Sequence, residues 1–163
     1  MKIEPAFTIV PLNNAAVGSV IQYQEHRGFV ALSQSDKIAI WLDEPKSQFV
    51  VGSIDPSARD IQFVGETTLK IDMTSSFFGA MDAKSRNEVY MDGETPFIFV
   101  QPIANIGMPL LLNMATGILQ NQEFIFSKTG FRKWGVYVRD GDNLSPLLEC
   151  VPITTTKVTE LRL

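Results

Sequence analysis

The sequence predicts a mainly antiparallel all-β fold: a β-sandwich or barrel of roughly ten strands with one or two short helices, in a single domain over residues 1–163. Three observations predict it. Short apolar runs recur along the whole chain, rich in the β-branched and aromatic residues that suit a pleated, half-buried surface. Glycine, proline, asparagine and aspartate separate them at strand-like intervals. The 163 residues, 45% of them hydrophobic, suffice for a packed core without metals or disulfides.

In chain order the first runs are Phe7–Val10, Val20–Tyr23, Gly28–Leu32, Lys37–Leu42, Gln48–Val51, Ile61–Val64 and Thr67–Ile71. Glu88–Met91, Pro96–Val100, Glu123–Phe126, Phe131–Arg139, Leu147–Val151 and a threonine-rich tail follow. Thr68-Leu69-Lys70-Ile71-Asp72 alternates, so one face is apolar and the other polar. Ile38–Leu42 and Phe97–Val100 are apolar on both faces. Such strands are covered on both sides, or they line a cavity or a subunit contact.

The connections carry their own chemistry. Glu25-His26-Arg27-Gly28 predicts a hairpin whose glycine takes a positive φ. Asp92-Gly93 and Asp140-Gly141 are strong hairpin signals, and Asp55-Pro56-Ser57 reads as a turn start. Two stretches have helical spacing. Ser76 can cap a helix over Phe77–Ser85, with Phe77, Phe78 and Met81 on one face. Residues 108–119 repeat apolar side chains at helical intervals, but Thr116 and Gly117 leave helix and strand open there. A weak echo links Phe7–Pro11 to Phe97–Pro102, and Lys37–Leu42 to Lys133–Val138. If it is structural, residues 108–112 are strand.

The net charge is −4 and the pI about 5.0, which argues against nucleic acid and against anionic membrane surfaces as partners. The beginning, Met-Lys-Ile-Glu-Pro, lacks the apolar run of a secretory leader, and no stretch is long and apolar enough for a membrane helix. A cytoplasmic location is the expectation. Cys150 is the single cysteine; it sits in an apolar run and reads as an inert buried thiol.

Catalytic equipment is sparse. His26 is the single histidine and lies in a turn, so a histidine-based triad or metal site has little to draw on. Asp55, Asp60, Asp82, Asp92 and Glu94 are the carboxylates open to acid–base work. Asp140, Asp142 and Asn143 begin like a calcium loop. Ser145 then replaces the required glycine and Glu149 comes too early, so a hairpin explains them better. Asn143-Leu144-Ser145 matches a glycosylation acceptor. No phosphate-cradling glycine motif occurs. The reading therefore assigns no catalytic residue, no metal and no cofactor.

Lys128–Arg139 holds four basic residues and no acidic one in an otherwise acidic chain. As a strand it puts Trp134, Val136 and Val138 on one face and Lys133, Tyr137 and Arg139 on the other. An aromatic flanked by cations can stack a ring or grip an anion, and these three are the candidate ligand-binding residues. An ordinary solvated sheet face accounts for the same residues. The leading expectation is a non-enzymatic module that binds a ligand or assembles as a homo-oligomer. Its rivals are a small-molecule-binding barrel or carboxylate-based hydrolase, and an inhibitor or immunity-type protein partnering a basic target.

Overall fold

The computed structural model describes residues 7–42, 49–52, 59–63, 66–79, 88–101, 110–121, 128–149, 153 and 157–163. They form 16 strands and two one-turn 3-10 helices, so the fold is all-β as the apolar runs predict. In chain order the strands are β1 (Phe7–Pro11), β2 (Val20–Tyr23), β3 (His26–Ser33), β4 (Asp36–Trp41), β5 (Phe49–Gly52), β6 (Arg59–Phe63), β7 (Thr67–Asp72) and β8 (Ser76–Gly79). Then follow β9 (Val89–Asp92), β10 (Thr95–Gln101), β11 (Leu110–Asn113), β12 (Leu119–Asn121), β13 (Lys128–Phe131), β14 (Trp134–Asp140), β15 (Asn143–Glu149) and β16 (Val158–Arg162).

Two sheets result. The larger runs β1-β6-β2-β3-β4-β5-β10-β9-β13-β8, with β11 on the other edge of β10 and β12 beyond it. The smaller runs β15-β14-β7-β16. All pairings are antiparallel except β5 with β10, through Val100–Phe49 and Gln101–Val50, and a single parallel bridge from Leu32 to Ile118. That bridge returns the path β3-β4-β5-β10-β11-β12 to β3.

The doubly apolar strands are covered on both faces within one chain. On one face Phe29, Ala31, Ile40, Ile98, Val100 and Leu112 meet Leu69, Ile71, Trp134 and Val136 of the smaller sheet in the main core. On the opposite face Val30, Ala39 and Trp41 pack with Leu12, Ala15 and Ile21. Farther along the sheet, Phe97 and Phe99 pack with Tyr90, Leu111 and Phe77. Arg27 adds a tie between sheets by donating to the carbonyl of Leu147. Lys37 donates to the carbonyls of Asn13 at 2.8 Å and Ala15 at 2.7 Å, fastening the turn after β1.

Several local expectations are corrected. The helix predicted from Ser76 is absent over its described part: Asp72 caps a 3-10 turn over Met73–Ser75, and Ser76–Gly79 then pairs with β13. Strand alternation sends Phe77 inward and leaves Phe78 77% exposed. Residues 110–113 and 119–121 are strands, joined by a turn in which Asn113 Oδ1 accepts from the N–H groups of Ala115 and Thr116. Of the strand that the echo requires at 108–112, residues 110–112 are strand and residues 108–109 lie outside the described residues. The pairing nonetheless differs, because β10 and β11 pair directly whereas β6 separates β1 from β2.

The β2–β3 turn carries its positive φ at Gln24 (53°), not at Gly28. Gly28 lies inside β3 opposite Trp41, where an added Cβ would sit 2.2 Å from the Ile40 carbonyl oxygen. The run 131–139 is not one strand but two. Phe131 ends β13 in the larger sheet and Trp134 opens β14 in the smaller. Asp55-Pro56-Ser57, Glu123–Phe126 and Cys150 lie outside the described residues.

Candidate functional site

The outer face of the smaller sheet carries the side chains that the basic stretch singled out. Antiparallel register sets Glu149, Gly135, Lys70 and Glu160 in one row across β15, β14, β7 and β16. Pro146, Tyr137, Thr68 and Arg162 form the next. Arg139 stands beside Leu144 in a third, its N–H donating to the Glu66 carbonyl at 3.0 Å.

Charges on this face pair in a chain. Arg162 meets Glu66 at 2.9 Å, Glu66 meets Arg139 at 3.8 Å, Arg139 meets Glu160 at 3.0 Å, and Glu160 meets Lys70 at 3.3 Å. The Lys70 ammonium lies 4.9 Å from the centre of the Tyr137 ring, and the Tyr137 hydroxyl donates to the Glu149 carboxylate. Burial first, then the hydrogen bond and charge of Glu149, push the Tyr137 hydroxyl well above the usual tyrosine range. Tyr137 itself is 6% exposed. Glu66, Thr68, Arg139, Gly141, Asp142, Glu160 and Arg162 border a polar groove of about 510 Å³.

Tyr137 and Arg139 share this face as the alternation predicts, and Trp134 and Val136 turn into the core behind it. Lys133 is placed elsewhere. It precedes β14 at the far end of the sheet, where its N–H donates to Ser75 Oγ at 3.0 Å and its carbonyl accepts from Asp72 at 3.0 Å. Asp72 is buried, and its carboxylate accepts from the hydroxyl of Thr74 at 2.6 Å and its N–H at 2.8 Å. The Thr74 hydroxyl, then its N–H and the charge of Lys133 hold that carboxyl below the usual aspartate range against the opposing effect of burial. Arg132 lies over the Phe77 ring at 4.9 Å and meets Glu88 at 3.5 Å. The basic run is thus divided among different acids.

Sequence reading missed Glu66, Thr68, Glu160 and Arg162. Their signal is visible in hindsight: the tail Glu160-Leu161-Arg162-Leu163 alternates polar and apolar as strand β7 does. Of the other candidates, His26 is half-buried with its ring 5.8 Å from Trp41. Asp92 and Glu94 are exposed at the β9–β10 turn, and Gly141-Asp142 forms the two-residue turn between β14 and β15. Asp55 and Asp82 lie outside the described residues.

The edges of the sheets differ in how they meet solvent. Among the described residues β1, β8, β12, β15 and β16 each have one strand partner only. Edge strands are protected by charge, proline, irregular register or shortness. β1 ends in Pro11, and β15 carries Pro146 beside a register shift at Val136/Tyr137. β16 bears Glu160 and Arg162, and β12 has three residues, two of them polar. Strand β8, Ser76-Phe77-Phe78-Gly79, has no charge, no proline and an exposed phenylalanine. No protein-family profile, curated protein or solved structure matches the chain.

Proposed function

We propose that the protein is a non-enzymatic β-sheet module that works by association, with a second copy of the chain added at the β8 edge. The observation that carries this reading is Phe78, 77% exposed on a short edge strand that carries no charge, no proline and no register shift. Two β8 strands related by a two-fold axis can pair antiparallel about Phe78. Each Phe78 then meets its counterpart directly across the strands, an arrangement worth about 0.5–1 kcal/mol beyond burial alone. Four residues bury far less than the roughly 1,200 Å² of a stable interface, so the association is weak and concentration-dependent. The outer face of the smaller sheet supports the reading from the other side. Its cations are matched by its own acids, and the Tyr137 ring is covered by Lys70.

Light scattering across a concentration series tests this. The expected result is a mass that rises toward two copies in the tens to hundreds of micromolar. Phe78→Lys is expected to hold the protein monomeric with its melting temperature unchanged, since the side chain lies in solvent. A monomer at every concentration overturns the reading, as does a Phe78→Lys variant that associates as the parent does.

A further inference from the structure

Strand β3 gives its outer edge to three partners in succession. β2 takes it as far as Val20–Phe29. Gly18 and Ser19 then bond to the carbonyl and N–H of Val30 at 2.8 and 2.9 Å. Last, the Gly117 carbonyl accepts from the N–H of Leu32 at 2.8 Å, beside the parallel bridge between Leu32 and Ile118. This seam is fixed by glycine: at Gly117, φ is +71° and an added Cβ would sit 2.5 Å from the Gly18 nitrogen. Beyond the bridge β3 turns away through Gln34-Ser35 while β12 runs on, and a cleft of about 370 Å³ opens between them.

Six described residues line the cleft: Ser33, Gln34, Leu110, Leu119, Gln120 and Asn121. None is charged. Leu110 and Leu119 supply an apolar wall, and the remaining four supply a hydroxyl and three primary amides that make no side-chain hydrogen bond to another described residue. Amides give and take hydrogen bonds at once. Gln34 stands in the turn with φ at 57°, a conformation that Gly93 and Gly141 supply in the β9–β10 and β14–β15 turns. Gln24 shows that glutamine can hold this conformation; Gln34 is distinguished by its place on the border of the cleft.

We infer that this seam cleft is a binding site for a small neutral ligand that carries hydroxyl or amide groups around an apolar face, of the hexose or N-acetylhexosamine type. An apolar wall with a few convergent polar groups, in a space within the usual range, is the general make-up of a small-molecule site. The described lining residues carry no charge and so offer a charged ligand no compensation for its lost hydration. A primary amide can pair its donor and its acceptor with adjacent ring hydroxyls.

Residue-resolved NMR titration with N-acetylglucosamine, and with inorganic phosphate as a charged control, is the test. The sugar is expected to shift Ser33, Gln34 and residues 119–121 with saturation in the millimolar range, and phosphate is expected to leave them in place. Gln34→Gly keeps the turn conformation and removes the amide; it is expected to fold normally and to bind about fivefold more weakly, the loss of one hydrogen bond. Asn121→Ala, on an exposed side chain, provides the same comparison away from the turn. Absence of shifts with the sugar, equal shifts with phosphate, or unchanged affinity in both variants overturns the inference.

Discussion

Glycines at three positions separate two physical reasons for the same residue. Gly93 and Gly141 have φ near +60° and nothing within 4 Å of an added Cβ, so alanine there meets only backbone strain. Gly93→Ala and Gly141→Ala are each expected to cost about 1 kcal/mol in chemical denaturation. Gly28 has an ordinary strand conformation but faces the Ile40 carbonyl and the Trp41 ring. Gly28→Ala is expected to cost about 3 kcal/mol, because a backbone oxygen at 2.2 Å cannot yield as a side chain does. Tyr137 gives a prediction with a sign. The folded state holds the hydroxyl proton more tightly than the unfolded chain, whose tyrosine titrates near pH 10. Its contribution is therefore complete below that pH and is lost as pH rises toward the higher folded value. Thermal melts from pH 9 upward are expected to show an alkaline decline that Tyr137→Phe reduces; equal declines in both would contradict the assignment.

At the scale of the element, β16 is the strand held most by charge. It has no buried residue and leans on Lys70 and Arg139 through Glu160, and on Glu66 through Arg162. Exposed pairs of this kind contribute about 0.2–1 kcal/mol each and are screened by salt. Glu160→Gln is expected to raise hydrogen exchange over Val158–Arg162 at low ionic strength, with the difference fading in molar salt. The strands were legible because burial on one or both faces leaves alternation or continuous apolar runs in the sequence. Pairing partners were not, and each misread element turned on one. Phe77 and Phe78 match a helical stripe, but an available β13 edge draws them into a strand with opposite orientations. Phe131 and Trp134 belong to one apolar run, yet their partners lie in different sheets, so the chain bends at Arg132-Lys133 and carries Lys133 away from Tyr137. The polar face of β14 was readable from its own residues. The acids that neutralise it come from residues 66 and 160, and nothing within β14 itself announces that they face it.

Across the whole molecule, the doubly apolar strands that suggested a subunit contact are satisfied inside one chain by three packed clusters. The association we propose therefore rests on the sheet edge and not on a bare sheet face. Only β8 among the described edges offers unpaired backbone beside an exposed aromatic without a charge or proline. No helix among the described residues is long and apolar enough to cross a membrane. The most direct measurement is amide hydrogen exchange of residues 76–79 at low and high protein concentration. Pairing of β8 with a second copy predicts that protection at these amides rises with concentration while the exchange of β3 and β10 stays constant. Exchange at residues 76–79 that is the same at both concentrations would contradict it.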